Sequence, residues 1–289
     1  MQTLADKRPL AKGSAAWRQA VLSRLTRGEV ELPMVPTVAT KVNALVSSQS
    51  ATIVELTEVV SRDQVVASQL LKLANTMMFA AKGETTSLNK AIVRLGFGEV
   101  RTLVTSLTLA SSMADERIYG DRGRQLQEHS LGVAYAARAV AEKLREDPHE
   151  AFVCGLFHDI GKMVLYKIAW EVERATGHEP GEGELEQLLE RYHASAGGLM
   201  LRRWKLPERV EDAVLHHHEP GRAQAAPALA RVVQSADQLC HRLGLGVLTE
   251  PQEGPDPELV EHGLDAAWQE EQEGLLPEVV AAAMSALSV

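Results

Sequence analysis

An all-α fold is what this sequence predicts, and three observations carry that prediction. Apolar residues recur with the 3.6-residue period of a helix along almost the whole chain. No run alternates apolar and polar residues as a half-buried strand does. Capping residues, glycines and prolines punctuate the chain at helix-length intervals.

Taken in order, the first helix runs on from Ser14 with Trp17, Ala20, Val21 and Leu25 on one face. Leu32-Pro33-Met34-Val35-Pro36 reads as a connector, after which Thr37 can cap a helix carrying Val38, Val42 and Leu45. Thr52 can cap the next (Ile53, Leu56, Val60), and Asp63 one from Gln64 to Ala80 whose stripe is Val66, Leu70, Leu73 and Met77. Gly83 ends that region, and Leu88–Leu95 and Val100–Met113 follow as two helices around Gly96 and Gly98. Together these make a short-looped bundle. Polar Asp115–Arg124, with Gly120 and Gly123, reads as a linker. Helices then resume at Gln125–Arg145, Glu150–Trp170, Glu184–Trp204, Pro207–His217 and Pro227–Leu243, with loops at Gly177–Gly183 and Glu219–Ala226. From Gly246 a proline-bearing tail leads into two short helical pieces. The expected organisation is a helical extension over 1–27, a bundle over 28–114, a second helical unit over 125–245 and a helical tail over 246–289.

Composition narrows the function classes. The chain has 289 residues, of which 45% are hydrophobic, and 30 basic against 39 acidic residues give a formal charge of −9. That balance fits a soluble globular protein and disfavours a broad nucleic-acid footprint. An aromatic content of 4% argues against a stacking surface for single strands. No stretch approaches the ~20 apolar residues of a membrane span, and the polar N-terminus does not resemble a signal peptide. Cys154 and Cys240 lie in apolar contexts and give no disulfide framework, so a cytoplasmic location is expected. No feature fixes an oligomeric state.

All ten histidines lie beyond Glu128, and several sit beside apolar stripes. His129 falls on or next to the stripe Leu126, Val133, Ala137, Val140. His158-Asp159 is an adjacent imidazole–carboxylate pair within an apolar run. His193 neighbours Ala196 and Leu199, His217 and His218 follow Val210 and Val214, and Asp237 lies between Val233 and Cys240. Singly, a histidine beside an apolar stripe is usually a satisfied core residue. Five helices that each bring a nitrogen or oxygen ligand toward the buried side are the way helical bundles build metal sites. Imidazoles with carboxylates suit Fe, Mn or Zn, and a mixed set on facing helices suits a dinuclear divalent centre.

The order His129, His158-Asp159-Ile160-Gly161-Lys162, His217-His218-Glu219, Asp237 resembles the HD superfamily of metal-dependent phosphohydrolases. Leu32-Pro33 with Pro36, Asp63 with Leu70-Leu71-Lys72-Leu73-Ala74-Asn75, Ala91-Ile92-Val93-Arg94-Leu95-Gly96 and Arg203-Trp204-Lys205-Leu206-Pro207 are similar to the HDOD domain of bacterial signalling proteins, over roughly Gly28–Leu245. The resemblance implies a regulatory module acting on signalling proteins or a nucleotide second messenger. It also implies metal ligands at His129, His158, Asp159, His193, His217, His218 and Asp237, with Asp159 bridging and Lys162 contacting phosphate. The alternative it carries is a metal-dependent phosphohydrolase. Compared with the related HD-GYP phosphodiesterases, this chain has Pro220-Gly221-Arg222 where their Gly-Tyr-Pro signature would follow, and Gln125 where a bridging glutamate would stand. Asn75 is expected to fix a helix turn, and Trp204 to pack the two halves together.

Overall fold

The computed structural model describes residues 15–27, 37–48, 51–75, 85–112, 115–177, 179–204, 206–246, 252 and 254–287. Among these residues there are thirteen α-helices, one short 3-10 turn and no strand. The first group is α1 (Ala15–Arg27), α2 (Thr37–Ser47), α3 (Ile53–Ser61), α4 (Gln64–Ala74) and α5 (Leu88–Ser112). The second is α6 (Glu116–Leu144), α7 (Pro148–Phe157), α8 (Ile160–Thr176), α9 (Glu184–Arg203), α10 (Glu208–Leu215) and α11 (Pro227–Arg242). Finally, α12 (Pro257–Glu261) and α13 (Ala266–Leu287) follow. The Leu32–Pro36 connector, Met77, Gly83 and Lys205 lie outside the described residues.

Local sequence explains the helix starts. Thr52 closes a reciprocal box: its hydroxyl accepts from the Glu55 amide (3.2 Å) and its own amide donates to the Glu55 carboxylate (2.9 Å). Asp63 accepts from the Val66 amide and opens α4. At the end of α4, Asn75 reaches across to Thr85, its side-chain amide donating to the Thr85 carbonyl and accepting from the Thr85 amide, each at 2.8 Å. That is the turn-fixing role expected of it. Gly96, at φ 78°, breaks α5 where two helices were expected.

In the first bundle α2, α3 and α4 pack against α5, burying Leu56, Val60, Leu70, Leu73 and Ile92. In the second, α6 lies against α7, α8 and α11, while α9 packs on α8 and α10. α1 rests on α8, with Trp17 buried and Arg24 paired to Glu171 at 2.9 Å. The bundles meet where α5 touches α6 and α7. There Glu99, 2% exposed, accepts from Arg138 at 2.6 Å.

Several expectations need correction. The stretch 115–124 is not an extended linker: Asp115 caps a helical turn, the chain breaks at Gly120 (φ 51°), and the helix is again under way before Gln125. The expected helix Gln64–Ala80 ends at Ala74 among the described residues. The expected single helix Glu150–Trp170 is two, α7 and α8, because Asp147 and Pro148 start the first early and it ends at Phe157. His158-Asp159 occupies the break. α10 likewise stops at Leu215, leaving His217 and His218 in a turn beyond it. The last helical piece is not short: α13 spans 22 residues, carries Pro277 within it, and packs against α6, α4 and α5. Trp204 meets Phe157 edge-on at 5.7 Å, a contact inside the second bundle.

Candidate metal centre

Five elements of the second bundle converge on one buried point. His129 comes from mid-α6, His158 and Asp159 from the α7–α8 break, His193 from α9, His217 and His218 from the turn after α10, and Asp237 from α11. Close helix approach makes this possible. Gly161, two residues after Asp159, lies against the backbone of His193 and Gly197, so any side chain there would run into α9. Gly155 also lies close against the backbone of Val133 and Ala134 of α6, with no space for a side chain. The turn bearing His217 and His218 is tied down by Asp212, whose carboxylate accepts from the amides of Gln224, Ala225 and Ala226 and pairs with His216. His216 is thereby held by its own helix rather than turned into the centre.

The imidazoles are oriented by the backbone. Nδ1 of His129, His158, His193 and His217 donates to the carbonyls of Leu245, Gly155, Leu189 and Val214, at 3.1, 2.8, 2.8 and 2.7 Å. A carbonyl only accepts, so each Nδ1 carries a proton and each ring turns its Nε2 inward. This is how metal-binding histidines are held in general.

The inward atoms form two groups joined by one carboxylate. In the first, His129 Nε2 stands 3.1 Å from Asp237 Oδ1 and His158 Nε2 3.3 Å from Asp159 Oδ2. In the second, His193 Nε2 lies 3.4 Å from His217 Nε2 and 2.8 Å from His218 Nε2. Asp159 serves both, with Oδ2 toward the first group and Oδ1 3.4 Å from His193 Nε2. Lys162 Nζ lies 2.5 Å from Asp159 Oδ2. All seven sequence-predicted ligand residues, and Lys162, therefore stand at one centre.

The electrostatics follow from burial and charge. Burial pushes His193 down to about 4 and His217 well below the ordinary imidazole value, and it lowers His218 as well. Burial also works against ionised Asp159, which is 2% exposed, but His158 and Lys162 outweigh it and hold the carboxyl well below the usual range. His158 moves the other way: burial opposes its charge, and Asp159 beside it overrides that and raises it.

Does this set fit divalent ions? His129 Nε2, His158 Nε2 and Asp237 Oδ1 are buried and complete no hydrogen bond. His193 and His217 face each other with two lone pairs and no proton between them. Such an arrangement is unfavourable alone and is resolved by a shared cation. Metal–nitrogen bonds of about 2.0–2.1 Å put neighbouring donor atoms roughly 3–3.5 Å apart, close to the separations found. The donors fit.

One participant was missed in the sequence. His241, one helical turn after Asp237 on α11, places Nε2 3.4 Å from Asp237 Oδ1 and its ring 5.1 Å from that of His129. The i, i+4 spacing of Asp237 and His241 was the available signal.

Fold and centre together define a class: helical proteins of HD type with a His/Asp centre able to hold metal. The HDOD domain model matches residues 32–220, and the chain belongs to the HDOD domain family. A candidate metal-dependent phosphohydrolase from Shewanella amazonensis SB2B superposes with a TM-score of 0.68 at 16% identity, over 94% of this chain and 99% of that one. An HDOD domain protein of unknown function from Geobacter sulfurreducens gives 0.67 at 23% identity, covering 92% and 98%. By sequence, a Treponema pallidum protein is 23% identical over 65% of this chain and 38% of its own length. A ribonuclease Y from Thermus thermophilus is 30% identical over 55% of this chain and 22% of its own. The chain thus spans well under half of these two relatives. No helix among the described residues is long and apolar enough to cross a membrane.

Proposed function

We propose that the chain is a metal-dependent phosphohydrolase acting on phosphate esters or diesters. The observation that supports this reading best is Asp159, a single buried carboxylate with one oxygen turned toward each of two histidine groups. When bound, a pair of divalent ions supplies Lewis-acid polarisation of a phosphoryl oxygen and a water of lowered pKa.

The chain's own residues account for the rest. Asp159 and Asp237, both held anionic, offset the charge of the cations. The backbone carbonyls fix the four imidazole rings, so donor atoms need no reorganisation. Buried His158 and His217 close the floor of the centre to solvent, while exposed His218, half-exposed His241 and partly exposed Asp237 and Lys162 mark the side from which substrate enters. Lys162 is a cation on that side, and in this reading its role is to hold a phosphoryl oxygen. Iron, manganese and zinc all suit the donor set.

The second reading is a regulatory module in which the ions are structural and the surface binds a signalling protein or a nucleotide messenger. The position of Lys162 favours it, because the ammonium is already engaged by Asp159. The two readings part in one experiment. Untagged protein is loaded with Fe, Mn or Zn, assayed for metal content, and offered a nitrophenyl phosphate, a bis-nitrophenyl phosphodiester, a cyclic dinucleotide and a short RNA. The RNA is included because one relative is a ribonuclease. We expect two ions per chain and turnover of at least one substrate, lost in Asp159→Asn. Two ions with no turnover on any substrate would leave the regulatory module.

A further inference from the structure

We propose that His241 is an additional metal ligand, giving the first ion of the centre a fifth protein donor and making the two ion positions unequal. The inference rests on the metal-centre reading above and extends it to a residue outside the His/Asp set that the family resemblance implies.

Three observations support it. Asp237 and His241 are one turn apart on α11, so their side chains emerge on the same face. His241 Nε2 lies 3.4 Å from Asp237 Oδ1, the same oxygen that stands 3.1 Å from His129 Nε2 and 3.7 Å from His158 Nε2. His129 Nε2, an Asp237 oxygen and a His241 nitrogen all lie within 4.8 Å of one another, as do the donor atoms of His129, His158 and Asp159. Both groupings share His129, and Asp237 Oδ1 of the second, an atom buried without a hydrogen bond, also faces His158 Nε2 of the first at 3.7 Å. With Nδ1 of His129 committed to the Leu245 carbonyl, that residue has one nitrogen to give. One ion, drawing on His129, His158, Asp159, Asp237 and His241, satisfies both groupings, whereas two ions would compete for it.

The consequence is an asymmetry. The second position has His193, His217, His218 and Asp159 Oδ1, four donors, of which His218 is on the exposed side. Five donors at the first position go beyond the four of a tetrahedral zinc site and suit a six-coordinate ion such as Mn or Fe. They leave room for one more ligand, and His241, 48% exposed, lies on the solvent-facing flank of the group. The first ion is therefore the more firmly held, and the second is the more open to substrate.

The test uses metal binding and spectroscopy rather than turnover. Cobalt(II) is titrated into metal-free full-length protein against a competing chelator, and the visible spectrum is recorded at each equivalent for wild type, His241→Ala and His241→Glu. In wild type we expect two separable ions. In His241→Ala we expect the tighter affinity to fall by at least about tenfold, with a changed spectrum for that ion and an unchanged second step. His241→Glu, which restores a donor atom, is expected to recover most of the affinity. Because His241 is half-exposed, the variants should keep the fold, which a thermal melt verifies. Affinities and spectra in His241→Ala identical to wild type would overturn this inference and leave the dinuclear reading standing. A wild-type chain that takes up no ion would overturn both.

Discussion

Each bundle holds a polar knot among its helices, and the two are built on opposite terms. In the first, Asn75 and Thr85 exchange two hydrogen bonds, and Arg94 donates to the Ala74 carbonyl at 2.8 Å and to Asn75 at 3.5 Å. Donors are matched to acceptors, and the knot joins the end of α4 to the segment before α5. In the second, inward-facing nitrogens and carboxylate oxygens outnumber the protons available to pair them, and three buried atoms are left over. A buried polar group without a partner costs roughly 1–3 kcal/mol, so a cluster of them is not what a merely structural knot would retain. The satisfied knot is architecture. The unsatisfied one is the kind that a bound cation would complete.

That contrast breaks most easily at Asp159. Asp159→Asn keeps the shape but removes the charge and one of two oxygen ligands, so metal affinity is expected to fall by more than about 100-fold. Elemental analysis after dialysis measures this. Retention of two ions by the variant would show that the two histidine groups do not depend on a shared carboxylate.

Gly161→Ala probes how the knot is assembled rather than what it binds. A methyl at Gly161 would run into the His193 carbonyl, and backbone cannot yield as a flexible side chain can. We expect a loss of at least about 3 kcal/mol in urea unfolding, with weakened binding at the second ion position. A variant as stable as wild type would mean that α8 and α9 are less closely packed than the structure places them.

Much of this was legible in the sequence, for reasons that can be named. Helix period and caps are local signals, and Thr52, Asp63 and Gly96 act as their residue types lead one to expect. The convergence of His129, His158, Asp159, His193, His217, His218 and Asp237 was legible because each sits near an apolar stripe. The helix break at His158-Asp159 was not, because Phe157, Ile160 and Val164 continue the apolar pattern across it with no proline to interrupt. The length of α13 was not legible, because it runs through Gly274 and Pro277, and packing against α6 sustains it. Asp212 gave no signal at all: its partners are amides 12 to 14 residues away, and nothing in residue type announces them.

The first knot makes the complementary prediction. Asn75→Ala strips the Thr85 amide and carbonyl of their side-chain partners and should cost about 2 kcal/mol. Metal content should not change, since the substitution lies in the other bundle. A drop in bound metal at unchanged stability would show that the two knots communicate, and the division of labour drawn here would fail.

The smallest effect is expected from pH, in metal-free protein. His193, His217 and His218 are lowered from the ordinary 6.5, chiefly by burial, so between 6.5 and their folded values the unfolded chain binds more protons than the native one. Their contribution is whole above pH 6.5 and is lost as pH falls, down to about 4 for His193. His158 is raised, so its contribution is whole below pH 6.5 and fades as pH rises through its folded value. The opposing signs give a shallow stability maximum near neutrality: His158 shapes only the limb above pH 6.5, and the acid limb belongs to the lowered histidines, His241 among them. Below the ordinary carboxyl value of 3.8, protonation pressure on depressed Asp159 steepens that limb. Urea midpoints at pH 7.5, 6.5, 5.5 and 4.5 trace the profile, and His193→Gln should flatten the acid side. Bound metal should steepen it, because an ion keeps those nitrogens unprotonated in the folded chain while acid still protonates them in the unfolded one. Asn75→Ala should lower the whole curve without changing its shape, since the knot it removes has no group that titrates in this range.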